Sequence, residues 1–388
     1  MHPFRDGQTF AGDIALAVSR SVDLAKLRAT VLEGVARAVS DRRISQAHRI
    51  HLGGSGDSLF AALGAVHALR RWTGMAVEAR PALDLSRYSA PLFDGRDLVV
   101  AISNSGNSSR ARETVRLAKD RHAPTIGVTG SLSGAVSREA DYVIHRPVEE
   151  QIGLAPHYEG CLVNLSEYLA LLYALYSLGL ALGVERGRIT EALRRAQLES
   201  VERAIEAQGA IAARIESAAA ALAEALGDID TIWAIGSGPS QGTARYSAAK
   251  FHEQMPINGI GQDLEEWAHL EYFLTLEWGP RSVVLVVAPQ GNCRDRAWEI
   301  VQGIEAAGGR AVVVHNGSQG ASPPAFSRFD LEFEIEEWLS PLIYHLPAQL
   351  LVLHMAARAG IRHIPLRRRD GGWLIAQGIV RDRAAGLG

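Results

Sequence analysis

The chain reads twice, and that repeat fixes most of what it can fold into. Gly54-Ser55-Gly56-Asp57-Ser58 recurs as Gly236-Ser237-Gly238-Pro239-Ser240, each after a short apolar segment at 50–52 and 232–235. The run 96–102 is answered by 281–287, and each is followed at the same interval by a Gly-Asn pair, Gly106-Asn107 and Gly291-Asn292. A third landmark, 125–130, corresponds to 311–317. Three landmarks in constant order, with each copy nearly half of the chain, mean a duplicated domain and not a solenoid, whose periods run to about 20–50 residues.

Between the landmarks, short β-branched runs alternate with longer stretches of helical periodicity, the pattern of parallel βαβ units. The expected fold is α/β, with two doubly wound, flavodoxin-like, five-stranded parallel-sheet domains in tandem. Strands are expected near 48–53, 76–79, 97–102, 124–128 and 141–144, and again near 231–235, 257–260, 282–288, 310–314 and 331–335. An N-terminal helical segment (1–45) precedes the first domain (46–185). Ala-, Glu- and Arg-rich connecting helices (186–226) lead to the second domain (227–365), and a tail (366–388) follows.

The first copy carries an anion cradle. Ser103-Asn104-Ser105-Gly106-Asn107-Ser108 directly follows an apolar strand and opens onto a helix. The first N–H groups of that helix lack partners, and its dipole places about half a positive charge there. Ser and Asn are also ordinary turn and N-cap residues, so the motif gains weight from its place in the repeat. The second copy reads Ala288-Pro289-Gln290-Gly291 at the same point and has lost the hydroxyls, so one anion site per chain is expected.

Composition narrows the function classes. A formal net charge of −3 gives no electrostatic footprint for nucleic acid, with Arg367-Arg368-Arg369 only a local basic run. The two cysteines, Cys161 and Cys293, lack metal-ligand spacing and read as buried thiols in a reducing compartment, with no metal and no cofactor expected. The apolar run 169–183 is read as too short to span a membrane, and no secretory core opens the sequence, so a cytoplasmic protein with no membrane partner is expected.

The two Gly-x-Gly-x-Ser loops and the Ser103-Asn104-Ser105-Gly106 turn resemble the SIS (sugar isomerase) domain family. The tandem arrangement is similar to the isomerase half of glucosamine-6-phosphate synthases and to the fructosamine-6-phosphate deglycases, over roughly residues 45–365. The resemblance implies that Ser58, Ser103, Asn104, Ser105 and Ser108 hold the anionic end of a sugar. It also implies that Glu253, on the helix after the second glycine loop, moves a proton between C1 and C2. His269, contributed by a neighbouring subunit of a homodimer with shared active sites, would assist ring opening. Lys250 lies one helical turn from Glu253 on the same face. Such pairs are often solvated surface pairs, but only three lysines stand against 37 arginines here, which argues for a need for the compact amine.

The sequence departs from the synthase pattern. The segment 1–45 leads us to expect no glutamine-hydrolysing domain, and no lysine follows Lys250 to form an imine with a ketose. In 151–160, expected as a loop before a helix at 161–182, the hydroxyls expected over the sugar give way to His157, Tyr158 and Glu159. Gly56, His157, Glu159 and Arg368 are the candidate sugar contacts. The leading expectation is an aldose–ketose isomerase acting on a sugar phosphate or a sugar with another terminal anion such as a sulfonate. Deglycation or deamination of an amino-sugar phosphate, and sugar-phosphate binding by a non-catalytic regulator, remain open.

Overall fold

The computed structural model describes residues 18, 19, 21–147, 156–317 and 323–359, with backbone alone for 156–164. These residues form two compact units. One holds 22–147 and 166–202; the other holds 203–317 and 323–359, with 18–21 and 156–165. The division falls among the connecting helices, between 202 and 203.

The first unit opens with helix α1 (Leu24–Val39), started by Asp23, whose carboxylate accepts from the Lys26 N–H at 3.0 Å. It then alternates β1 (Arg49–Gly54), α2 (Asp57–Thr73), β2 (Ala76–Pro81), β3 (Asp97–Ser103), α3 (Ser109–Asp120), β4 (Thr125–Thr129), α4 (Ala135–Glu139) and β5 (Tyr142–His145). All pairings are parallel, in the order β2-β1-β3-β4-β5. Every residue of β3 and β4 is buried, as expected for strands covered on both faces. α2 stops at Gly74, a left-handed C-cap whose N–H bonds Arg70.

The long α5 (Pro156–Glu185), then α6 (Glu191–Glu206) and α7 (Gln208–Leu226), lead to the second sheet. There β6 (Thr231–Ile235), α8 (Pro239–Gln254), β7 (Asn258–Gln262), α9 (Leu264–His269), α10 (Tyr272–Trp278), β8 (Val283–Val287), α11 (Arg294–Ala306), β9 (Arg310–His315) and β10 (Ser327–Asp330) give the parallel order β10-β9-β8-β6-β7. The same topology has been used twice, and the agreement extends to backbone angles. Gly56 has φ +56°, ψ −133° and Gly238 has φ +59°, ψ −131°. A short turn, Glu337–Leu342, and α12 (Leu346–Arg358) close the unit.

Three expectations need correction. The tenth strand is Ser327–Asp330, not 331–335. The alternating Leu-Glu-Phe-Glu-Ile pattern mimics a strand, but Glu332 turns the chain at φ +43°, and the Asp330 carboxylate accepts from the Glu332 N–H at 3.1 Å. Residues 156–160 are helical and not a loop, because Pro156 starts α5, where its missing N–H costs nothing. The apolar run at 169–183 belongs to a helix long enough to cross a membrane, but most of 165–185 is buried inside the protein, as in a core helix.

Candidate active site

The ligand crevice of a doubly wound sheet lies at the carboxyl ends of the strands where the order reverses, here between β1 and β3. β1 hands over to α2 through Gly56, and β3 hands over to α3 through 104–108. Neither helix has a side-chain N-cap bond, so both N-termini present N–H groups and positive dipole ends.

The 103–108 loop is held from behind. Gly106 takes φ +70°, and a Cβ on the facing Gly134 would stand 2.6 Å from the Gly106 Cα, so two glycines let the loops touch. Asn107 Oδ1 accepts from the Ala135 N–H at 3.1 Å, and the Gly106 carbonyl accepts from the Val136 N–H at 2.9 Å. Ser103 is buried and its hydroxyl accepts from the Ser108 N–H at 3.3 Å. Ser105 is exposed and accepts from the Asn107 N–H at 3.3 Å. Among the described residues the Ser58 and Ser108 hydroxyls have no bonding partner, and the buried Oδ1 of Asn104 has none either. Open space lies where a Cβ would project from Gly56. β1 and β3 are adjacent in the sheet, so Ser58 and the 103–108 loop both follow the carboxyl ends of neighbouring strands.

In the second unit α8 and α11 likewise lack side-chain N-cap bonds and the buried Ser240 hydroxyl has no partner among the described residues, but two of the chain's own carboxylates accept from the corresponding loops. The Asn292 N–H donates to Glu337 Oε1 at 3.1 Å, and a Cβ on Gly291 would lie 2.2 Å from the Glu337 carboxyl carbon. The Ser237 hydroxyl donates to Asp263 at 2.6 Å, while the same Asp263 caps α9 through the Glu265 N–H at 2.8 Å. The guanidinium of Arg294 is buried there, donating to Gln290 and to the Gly317 carbonyl and lying over Trp298.

On α8, Lys250 is fully buried and its ammonium donates to Glu253 Oε2 at 2.7 Å, with the ring of Tyr246 4.4 Å below the nitrogen. The Glu253 side chain is 21% exposed, so the pair sits where a buried cation meets the surface. Gln349 donates to the Tyr246 hydroxyl at 2.7 Å, and the His345 ring packs edge-on against Tyr246. Burial pushes the pKa of His345 down to about 3; the Lys250 charge acts in the same direction and the bond to the Leu342 carbonyl opposes it. His345, Tyr246 and Glu337 were not singled out from sequence, since no motif or spacing marks them.

His269 ends α9 with its ring 71% exposed and bonded to Glu265 at 3.2 Å. Its bond is thus to Glu265, while Glu253 pairs with Lys250. Leu270, Phe273 and Leu276, which follow it, are 56–59% exposed. His157 and Glu159 lie in the first turns of α5 without described side chains, and Arg368 lies outside the described residues. Cys293 is half-buried, not buried as expected, and burial raises the pKa of its thiol. Among the described residues no group of three or more His, Cys, Asp or Glu is placed to hold a metal ion.

Residues 43–177 match the SIS domain family model. The chain is 28% identical over 319 residues to the glutamine–fructose-6-phosphate aminotransferase (isomerizing) of Methanothermobacter thermautotrophicus, covering 82% of this chain and 50% of that protein. It is 27% identical over 323 residues to the Brucella abortus aminotransferase of the same name, covering 81% and 50%. The chain spans about half the length of the curated relatives it matches. Among solved structures, the C-terminal domain of glucosamine-fructose-6-phosphate aminotransferase from Francisella tularensis matches with a TM-score of 0.72 at 16% identity, covering 92% of this chain and 98% of that one. Tagatose-6-phosphate ketose/aldose isomerase from Escherichia coli matches with a TM-score of 0.63 at 16% identity, covering 93% and 96%. At these identities the structural likeness is one of fold.

Proposed function

We propose that this chain, which carries a SIS domain and is homologous to the isomerase half of glutamine–fructose-6-phosphate aminotransferase, is an aldose–ketose isomerase acting on a sugar with a terminal phosphate or a similar anion such as a sulfonate. Ser58, Ser103, Asn104, Ser105 and Ser108 hold the anion together with the N–H groups of α2 and α3. Glu253 takes the C2 proton of the open-chain aldose. The electron pair forms the C1–C2 double bond as the C1 carbonyl π bond opens and O1 takes a proton, giving an enediol; O2 then gives up its proton as the C2 carbonyl forms, and Glu253 returns the carbon-bound proton to C1 to give the ketose. Lys250 keeps the carboxylate oriented through its ion pair, and His269 opens the ring.

The main support is that ion pair. A fully buried ammonium is retained only when a carboxylate meets it closely, and here the carboxylate is also partly exposed to solvent. The exposed apolar residues after His269 fit a homodimer in which His269 serves a partner chain, and sedimentation of the purified protein reads this directly. The free thiol of Cys293 suits a reducing cytoplasm.

The experiment is solvent exchange in D₂O, followed by NMR, over a panel of aldose and ketose 6-phosphates, 6-phospho-fructosamines and a 6-sulfonated hexose. Deuterium entry at C1 or C2 with ketose formation and no free amine is the expected result. Glu253→Gln should lower its rate by about 10²–10⁴ while leaving anion binding in place. Amine release would move the assignment to a deglycase or deaminase. Binding without exchange in the unmodified protein would leave a sugar-phosphate-binding regulator.

A further inference from the structure

A cavity of about 660 Å³ opens in the first unit at the amino ends of β1, β2 and β3. Asp97 begins β3 and Ser103 ends it, so about 20 Å of strand separates this cavity from the anion cradle. Its floor is an ion cluster. The His51 ring bridges Glu78 at 2.7 Å and Asp97 at 3.0 Å, and Arg49 forks onto the Asp97 carboxylate, which is 1% exposed. Its walls are apolar, with Ile50, Val77 and Phe93 inside and Leu92 and Tyr88 at the mouth, 79% and 75% exposed.

The duplicated domain shows that the fold does not need this cluster. His51 pairs in register with Glu78, and the matching pair in the second sheet is Trp233 with Ile260. Asp97 is matched by Ser282, three residues beyond Gly279, and Phe93 by Trp278. There Trp233 is fully buried and packs on Trp278 at 5.5 Å between ring centres. One copy fills the position with indole, and the other keeps an open cavity over buried charges. Since apolar replacement of buried ion pairs is often neutral or stabilising, stability does not account for the polar copy.

We infer that this cavity binds a small organic anion with a flat apolar body. Arg70 at the mouth donates through Nε to the Val77 carbonyl at 2.9 Å and, among the described residues, has no carboxylate partner. The other lining guanidiniums, Arg49 and Arg80, are already paired, with Asp97 and with Glu78 and Asp84. Arg70 is thus the group left to meet an incoming anion, while Ile50, Val77, Leu92 and Phe93 receive the body. The volume lies in the range of small-molecule sites.

The test uses the full chain labelled at Ile, Leu and Val methyls and naphthalene-1-sulfonate as the probe, with the cradle saturated by inorganic phosphate. Chemical-shift changes are expected at Ile50, Val77 and Leu92. Arg70→Gln and Leu92→Asp, both exposed positions that leave the core intact, should each weaken binding about tenfold, equivalent to about 1.4 kcal/mol. Shifts confined to other methyls, shifts that phosphate abolishes, or equal affinity in both variants would overturn the inference. None of these outcomes depends on whether the chain isomerises sugars.

Discussion

The two units share a topology and a glycine-loop conformation, yet their loops meet different side chains. In both, the helices after the first and third strands start without a side-chain cap, and the glycine-loop serine, Ser58 or Ser240, has no hydroxyl partner among the described residues. The second unit alone sets Glu337 against the Asn292 N–H and Asp263 against the Ser237 hydroxyl beside those helix starts. A carboxylate near a helix start competes with a bound anion, so these acidic side chains, and not the caps, separate the two units. The same division appears at the other end of the sheets, where a cavity over His51 stands against packed Trp233.

The sharpest way to break that comparison is to exchange residues between the copies. Val77 of β2 is matched by Gly259 of β7, since each pairs with the corresponding isoleucine, Ile50 of β1 or Ile232 of β6. A Cβ on Gly259 would lie 2.1 Å from the Ala248 carbonyl oxygen, so α8 rests directly on the strand backbone. Gly259→Val should cost more than about 3 kcal/mol and abolish cooperative unfolding of the second unit, whereas Val77→Gly should leave a folded first unit weakened by about 2 kcal/mol. Urea unfolding of the two variants decides it. A Gly259→Val protein with the parent midpoint would refute the tighter packing of the second copy.

Acid should also distinguish the units. His345 has a folded pKa of about 3 against an ordinary value of 6.5, so below pH 6.5 the unfolded chain binds a proton that the folded one refuses. Its contribution is complete above 6.5 and lost as pH falls toward 3, at about 1.4 kcal/mol per pH unit. In the first unit Asp97 is held below its usual range: burial opposes, but the bonds from Arg49 and His51 prevail. That contribution is present above the ordinary carboxylate value and fades only beneath it. Urea midpoints followed by tryptophan fluorescence in a Trp72→Phe background, which removes the described tryptophan of the first unit and leaves Trp233, Trp267, Trp278, Trp298 and Trp338 of the second, should fall between pH 6.5 and 4.5. The slope should flatten in His345→Gln.

Smaller effects test the cradle itself. Ser58 and Ser240 occupy the same place in the two glycine loops, and each is buried. Ser58→Ala should weaken inorganic phosphate binding about tenfold, because it removes a hydrogen bond to a charged group, and Ser240→Ala should leave binding unchanged. Equal losses in calorimetric titrations would mean that the second copy also takes the anion.

Much of this was legible in the sequence, for physical reasons that also mark where legibility stopped. Val- and Ile-rich runs covered on both faces announce parallel strands, and Gly56 and Gly238 announce turns that only glycine makes without strain. Alternation misled at 331–335, because a single Asp330 side chain turned the backbone at Glu332, two residues after the true strand ended. The serines of the cradle were legible because a local motif carries them. Glu337 was not, since it reaches the second crevice from 45 residues beyond Asn292. The His51 cluster was hidden for a similar reason, as it depends on the register of three strands and not on any spacing along the chain.

Glu337 gives the least of these effects and the most direct test of how the second crevice was closed. Its carboxylate accepts one N–H just before α11 and crowds against Gly291. Glu337→Ala removes a charge-assisted bond at a partly exposed site and should cost about 1 kcal/mol at low salt. The freed donors then face open space, so in a Ser58→Ala background inorganic phosphate should restore part of the lost stability in Glu337→Ala and have no such effect when Glu337 is present. Loss of stability without phosphate rescue would show that Arg294, Gln290 and Pro289 have closed the crevice by themselves. In that case the difference between the copies would lie in the loop sequence and not in the carboxylate that caps it.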